Sequence, residues 1–228
     1  MCGRFTQYFT YAELMAYWSI FADPLSTPPT NLQPRWHLCP TDPVWTITRA
    51  KEGGFQLEHM RWGLVPFWWD KPLKKVPATF NARAETVATK PMFREAFKRR
   101  RAVIPASGYY EWQDVADGKQ PWYFTPKDAP LFLIAGLYES WKNPEAEGEH
   151  VRSSTMIITE PNALVAQYHD RMPVLLSGET AIAWLSGEAG LELLKPAPDA
   201  MLKAWPVSRA VNSSKAPDGP ELIKPIAL

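Results

Sequence analysis

The run Leu131-Phe132-Leu133-Ile134-Ala135, continuing as Gly136-Leu137-Tyr138-Glu139, decides the fold class. Its first five residues are wholly apolar, the pattern of a strand buried on both faces. Outward from it, residues 102–105, 109–112 and 122–125 on one side and 154–159 on the other also read as strands. Further upstream, residues 44–49 and 55–62 form a strand pair, with Gly53-Gly54 near the turn between them. Helices are fewer. Thr10-Tyr11-Ala12-Glu13 fits a capping box, and Leu14, Tyr17, Trp18 and Phe21 follow at helical spacing. That helix should end near Asp23-Pro24, and a proline-rich loop runs from there to about Pro43. Thr89 is the expected N-cap of a helix reaching about Arg100, with Pro91 in its first turn and Phe93, Ala96 and Phe97 on one face. Residues 177–185 and 188–194 read as two late helices split by Gly187, residues 143–150 as a polar, mobile loop, and Pro206-Val207-Ser208 as the start of an extended tail. No repeat, low-complexity block or linker interrupts the pattern. The expectation is one α+β domain over residues 1–228: mostly antiparallel strands in a barrel-like or two-sheet core, with peripheral helices.

Bulk composition narrows the function classes. At 228 residues the chain is 46% hydrophobic and 21% charged, which excludes global disorder. A formal net charge of +1 argues against a strongly basic nucleic-acid coat and leaves room for a local basic groove. The 11 Trp and 23 Pro push against a simple helical bundle. Cys2 and Cys39 are the two cysteines; a bridge between them is open, but no secreted disulfide scaffold is suggested. The start of the chain lacks a basic-then-apolar signal pattern, and no apolar run approaches the roughly 18–20 residues of a membrane helix. These features predict a cytoplasmic protein with reduced thiols and no membrane partner. Four His and two scattered Cys show no metal-ligand spacing, so no metal and no other cofactor is expected.

The N-terminus reads Met1-Cys2-Gly3-Arg4-Phe5. Removal of Met1 would leave Cys2 with a free α-amine and a thiol on adjacent carbons. Their ordinary pKa values are about 7.7–8.0 and about 8.5, so both are partly nucleophilic near neutrality. Such a pair condenses with an aldehyde: the amine forms a Schiff base and the thiol closes a ring on the same carbon. On position alone, an incidental surface or half-buried residue is the better reading of Cys2.

Four further clusters carry possible chemistry, each with a plainer alternative. Arg61-Trp62-Gly63-Leu64-Val65-Pro66-Phe67-Trp68-Trp69 places two tryptophans on opposite sides of extended chain, one for the core and one free to stack on a base. Asn81-Ala82-Arg83-Ala84-Glu85-Thr86 offers an amide and a guanidinium fork, or a solvated polar turn. Glu111, within Gly108-Tyr109-Tyr110-Glu111-Trp112, is a general acid–base candidate if buried and a surface carboxylate if not. His169, within Tyr168-His169-Asp170-Arg171-Met172-Pro173, is a proton shuttle or a surface histidine. Lys98-Arg99-Arg100-Arg101 either offsets a helix dipole or flanks a DNA groove.

Taken in order, these segments closely resemble the SOS response-associated peptidase family, also called abasic-site processing proteins. The resemblance rests on Met1 to Phe5, Arg61-Trp62-Gly63 with Trp68-Trp69, Asn81-Ala82-Arg83 with Glu85-Thr86, Gly108 to Trp112, His169 to Pro173 and Pro206-Val207-Ser208. It implies a protein that binds single-stranded DNA and cross-links to abasic sites. Met1 is lost, and Cys2 attacks the ring-opened sugar aldehyde to give a thiazolidine. By motif match Cys2 is the nucleophile and Asn81, Glu111 and His169 complete the site. Glu111 is then the base for the amine and His169 the acid at the sugar ring oxygen. Arg4 and Arg83 hold phosphates, Trp68 or Trp69 stacks on or wedges the DNA, and a monomer suffices. Two alternatives stand beside this reading: an N-terminal cysteine peptidase or amidase acting in trans, and a single-strand binder without chemistry. β-Elimination of the DNA, a lyase step, is open. One departure is local. Where the family often has Tyr-Asn-x-Ala-Pro, this chain has Trp36-His37-Leu38-Cys39-Pro40, so His37 stands in for the asparagine.

Overall fold

The computed structural model describes residues 2–26, 32–146 and 148–228. Strand β1 (Arg4–Gln7) begins two residues after Cys2. Helix α1 (Tyr11–Trp18) starts on the expected capping box: Glu13 N–H donates to Thr10 Oγ1 at 3.2 Å, and Thr10 N–H donates to the Glu13 carboxylate at 2.7 Å. Its Leu14 and Trp18 are buried. The proline-rich stretch is not all loop, for it contains strand β2 (Arg35–Leu38), held to β1 by the Phe5↔Leu38 pair and by stacking of Tyr8 on Trp36. Residues 27–31 of that stretch lie outside the described residues. Strands β3 (Pro43–Arg49) and β4 (Phe55–Trp62) form the expected pair. Gly53 and Gly54 turn between them at φ of 100° and 71°, which glycine adopts without steric cost.

Strand β5 (Asn81–Arg83) is short. Helix α2 (Arg94–Arg99) begins four residues later than the Thr89 cap predicts. A capping side chain bonds the amide two or three residues on, and here the nearer one is Pro91, which has no N–H. Thr89 instead donates back to the Thr86 carbonyl at 3.2 Å. The remaining strands are β6 (Arg101–Ala106), β7 (Gly108–Val115), β8 (Gly118–Pro126), β9 (Phe132–Lys142), β10 (His150–Thr159), β11 (Met172–Pro173), β12 (Leu175–Leu176) and β13 (Leu202–Pro206). Helix α3 (Gly178–Ser186) ends at Gly187 in the left-handed region. The expected second late helix is a single 3-10 turn, Leu191–Leu193, between Gly190 and Pro196. The expected loop at 143–150 connects β9 to β10, with residue 147 outside the described residues.

Two sheets result, and the fold is α+β as expected. One is antiparallel, in the order β13-β8-β7-β1-β2. The other runs β4-β3-β6-β9-β10 through antiparallel pairs and closes into a barrel where β10 lies parallel to β4 at Ser153↔Arg61 and Ser154↔Trp62. Further along β10, β5 pairs in parallel, Met156↔Asn81 through Ile158↔Arg83. The Leu131–Ala135 run is buried throughout, as its composition requires. One core cluster packs α1 and α3 on the barrel through Trp18, Trp184, Ile47, Val103, Ala135 and Leu137. A second joins both sheets, and Cys2 belongs to it, with Phe5, Trp62, Ile104, Tyr109, Phe124 and Met156.

Candidate active site

Cys2 reaches the site because β1 lies between β2 and β7 and carries the chain start into the seam between the sheets. The residue is fully buried. Burial first, and then the negative charge of Glu111, push its thiol well above the usual range. Asn81 opens β5, and the parallel pairing with β10 fixes it there. Its Nδ2 donates to the Cys2 carbonyl at 2.7 Å. Its Oδ1 is buried with no hydrogen-bond partner among the described residues.

Glu111 sits on β7, one residue past the Arg4↔Tyr110 pair. It is 1% exposed, so the surface-carboxylate reading does not hold. Removing a carboxylate from water disfavours its charge, and burial is the main cause that raises Glu111 to about 8. His169 lies between β10 and β11. Its amide donates to the Val165 carbonyl at 2.9 Å, and the neighbouring Tyr168 ring packs on Trp122 at 4.3 Å and Phe124 at 5.6 Å. Its Nε2 faces Glu111 Oε2 at 3.6 Å. Its Nδ1 meets the Arg171 N–H at 3.0 Å, the Arg171 carbonyl at 3.2 Å and an Asp170 carboxylate oxygen at 3.3 Å, so both tautomers of the neutral ring have a partner there. Partial burial lowers the His169 pKa. The pair therefore rests, near neutrality, with the proton on the carboxyl and an uncharged imidazole. Tyr109, on the same strand, adds a buried hydroxyl with no hydrogen-bond partner among the described residues.

The four residues named from sequence as Cys2, Asn81, Glu111 and His169 thus come together from β1, β5, β7 and the β10–β11 connection. Arg4 follows Cys2 by two residues and bonds His37 and the Gly3 carbonyl. Arg83 follows Asn81 by two residues, so both project from the same face of β5, and Arg83 is exposed. Trp68 and Trp69 are anchored elsewhere, on the connection from β4 to β5, where Trp141 Nε1 donates to the Trp69 carbonyl at 2.6 Å. Trp68 is 44% exposed and Trp69 half-buried, so neither is a core residue. Phe67, at 53% exposure, stands beside Trp68, and sequence reasoning did not single it out. Arg171 was likewise passed over; it pairs with Glu85 and so links the His169 segment to the turn that follows β5. Its place in the motif beside His169 was the available signal. The Lys98–Arg101 run is spent largely on structure: Lys98 meets Glu95, Arg100 meets Glu139 at 2.7 Å, and Arg101 donates to carbonyls of Phe97 and Trp184. Cys2 and Cys39 are both free thiols. Among the described residues no group of three or more His, Cys, Asp or Glu is placed to hold a metal ion, and no helix is long and apolar enough to cross a membrane.

Fold and site together define an α+β protein whose second residue, Cys2, is set against a buried carboxyl, its imidazole partner and an asparagine. Comparison with known proteins agrees: the model of the SOS response associated peptidase (SRAP) family matches residues 1–214, and the chain belongs to that family. It is similar to the abasic site processing protein YoqW of Bacillus subtilis (strain 168), 36% identical over 98% of this chain and 99% of that one. It is also similar to the abasic site processing protein YedK of Escherichia coli (strain K12), 32% identical over 99% of this chain and 100% of that one. Among solved structures, a Bacteroides thetaiotaomicron protein superposes with a TM-score of 0.85 at 24% identity, covering 99% of this chain and 100% of that one, which speaks for the fold.

Proposed function

We propose that this protein processes abasic sites in DNA, and that it does so by trapping the lesion in single-stranded DNA as a thiazolidine on Cys2 after loss of Met1. The observation that carries the reading is the placement of Cys2: its carbonyl is held by Asn81 at 2.7 Å, beside the Glu111–His169 pair. The names of the relatives, abasic site processing proteins, support the substrate class.

The chemistry follows from the protonation states. An abasic sugar is a hemiacetal, and opening it moves a proton from the C1′ hydroxyl to the ring oxygen as the C1′–O bond breaks. A carboxyl that is protonated at neutral pH does both through its two oxygens, and Glu111 at about 8 is such a group. In the tautomer with its hydrogen on Nε2, 3.6 Å from the carboxyl, His169 stabilises the carboxylate between the two transfers. This division differs from the one read from sequence, in which Glu111 was the base and His169 the acid. The neutral α-amine of Cys2, a substantial fraction at its ordinary pKa of about 7.7–8.0, then adds to the aldehyde carbon. As the carbinolamine forms, one amine hydrogen moves to the oxygen; Glu111 then protonates that hydroxyl, which leaves as water and gives the iminium. The thiol adds to the iminium, and its proton replaces the one Glu111 gave up. The net loss is one amine hydrogen, one thiol hydrogen and the aldehyde oxygen, so the adduct weighs the sum of both partners less one water. Arg4 and Arg83 bind phosphates without reading sequence, as a lesion sensor requires, and the exposed Trp68 stacks on a base.

A denaturing gel tests the assignment. The protein beginning at Cys2 should retain an oligonucleotide carrying one abasic site, and Cys2→Ala or a chain extended ahead of Cys2 should not. Equal retention by the extended chain would overturn the N-terminal mechanism. Turnover of peptides without any DNA adduct would replace it with an N-terminal cysteine peptidase.

A further inference from the structure

Arg4 is held in place by a histidine. Its Nε donates to His37 Nε2 at 3.0 Å, and its Nη1 donates to the Gly3 carbonyl at 2.9 Å. Both acceptors are neutral, so the guanidinium is oriented while its charge stays available to an anion. His37 lies on β2 and is 4% exposed. An Nε2 that accepts from a guanidinium carries no hydrogen, so the ring is neutral with its hydrogen on Nδ1. The carbonyls of Val211 and Ala216, from the C-terminal segment, face the ring as acceptors.

We propose that His37 is a positioning residue that aims Arg4 at a backbone phosphate of the bound strand and releases it when the imidazole gains a proton, so that DNA affinity falls in mild acid. The proposal rests on the assignment of Arg4 to a phosphate given above. Protonation places a hydrogen on Nε2, abolishes the Arg4 bond and sets two cations side by side. The charged groups around the ring are Arg4 from β1 and Asp218 from the C-terminal segment. On its own strand and the turn after it lie Arg35 and Asp42, with the Cys39 thiol between them. Asp218 is already engaged, by Arg35 and by the Trp36 amide at 2.6 Å, and Asp42 by Arg35 at 3.3 Å and the Cys39 amide at 3.0 Å. Burial first, then Arg4, hold the imidazole below its usual 6.5. The bond is therefore intact at neutral pH and is lost as pH falls through a value below 6.5. A histidine that merely neighboured a phosphate would act with the opposite sign, since a new positive charge tightens binding in acid.

The test is anisotropy at fixed salt, from pH 7.5 to 5, on a single-stranded oligonucleotide with a tetrahydrofuran abasic analogue, which has no aldehyde and forms no adduct. His37→Asn and His37→Gln carry an amide oxygen that accepts from Arg4 at every pH. Both should bind like the wild type at pH 7.5. On acidification the wild type should lose on the order of tenfold more affinity than either, the scale of a hydrogen bond to a charged group. Arg4→Ala should bind weakly throughout, with a flat difference from the amide variants. Parallel profiles for wild type and His37→Asn, or tightening of the wild type in acid, would overturn the role of His37 alone. Wild-type affinity in Arg4→Ala at pH 7.5 would instead remove the Arg4–phosphate contact, and this proposal with it.

Discussion

Replacing Glu111 with glutamine should stabilise the fold while abolishing the chemistry, and the size of the effect follows from burial. The Glu111 carboxyl stands at about 8 against an ordinary 4.5. At about 1.4 kcal/mol per pH unit, that difference of about 3.5 amounts to about 5 kcal/mol against the ionised, folded form. Below pH 4.5 the folded and unfolded chains both hold the proton, and nothing is lost. Between 4.5 and 8 the unfolded chain releases it and the folded chain keeps it, so stability falls as pH rises. Above 8 the whole penalty is present. Glutamine keeps the volume and never ionises. For a chain of this length each kcal/mol moves Tm by about 2–4 °C. Thermal denaturation followed by circular dichroism should give similar Tm values for wild type and Glu111→Gln at pH 5. At pH 8.5 the variant should melt higher by on the order of 10 °C, and it should form no DNA adduct at either pH. A Tm difference that does not change with pH would refute the claim that a buried, proton-holding carboxyl lies at this site.

Asn81→Ala removes the 2.7 Å bond to the Cys2 carbonyl; single-turnover cross-linking should slow by about tenfold, and an unchanged rate would strip Asn81 of its positioning role. Trp68→Ala should weaken single-strand binding by about 1–3 kcal/mol if its ring stacks on a base, while the Tm stays close to wild type because the ring is 44% exposed. Equal affinities by anisotropy would exclude the stack. Arg83→Ala should lower the slope of log affinity against log salt by about 0.7, the share of one phosphate contact on a single strand. A slope equal to that of the wild type would free Arg83 from the DNA.

What could be read from the sequence followed how local the determining physics is. The Leu131–Ala135 run, the Thr10–Glu13 capping box and the Gly53-Gly54 turn each carry their signal within a few residues, and each element began where expected, although α1 ends at Trp18 rather than near Asp23. Strand β2 was hidden inside a proline-rich stretch because its pairing partner, β1, lies about thirty residues away. The closure of the barrel was hidden for the same reason. The parallel contact of β10 with β4 joins Ser153 to Arg61, a register that no local pattern encodes. Thr89 misled because capping depends on the amide it would bond, and Pro91 offers none. In the site, Cys2, Asn81, Glu111 and His169 were each ambiguous alone. Their order along the chain singled them out through the family resemblance, and the burial of Glu111 came only from the pairing of β7 with β1 and β8. Phe67 and the Arg171–Glu85 pair gave no signal beyond their neighbours, since exposure and long-range pairing are properties of the folded surface.

The most direct test of the central claim is the intact mass of the purified protein before and after incubation with a single-stranded oligonucleotide bearing one abasic site. The account predicts a starting mass without Met1, then a gain of one oligonucleotide less one water, absent in Cys2→Ala. A chain that begins at Cys2 and gains no such mass, or an adduct that persists in Cys2→Ala, would contradict it.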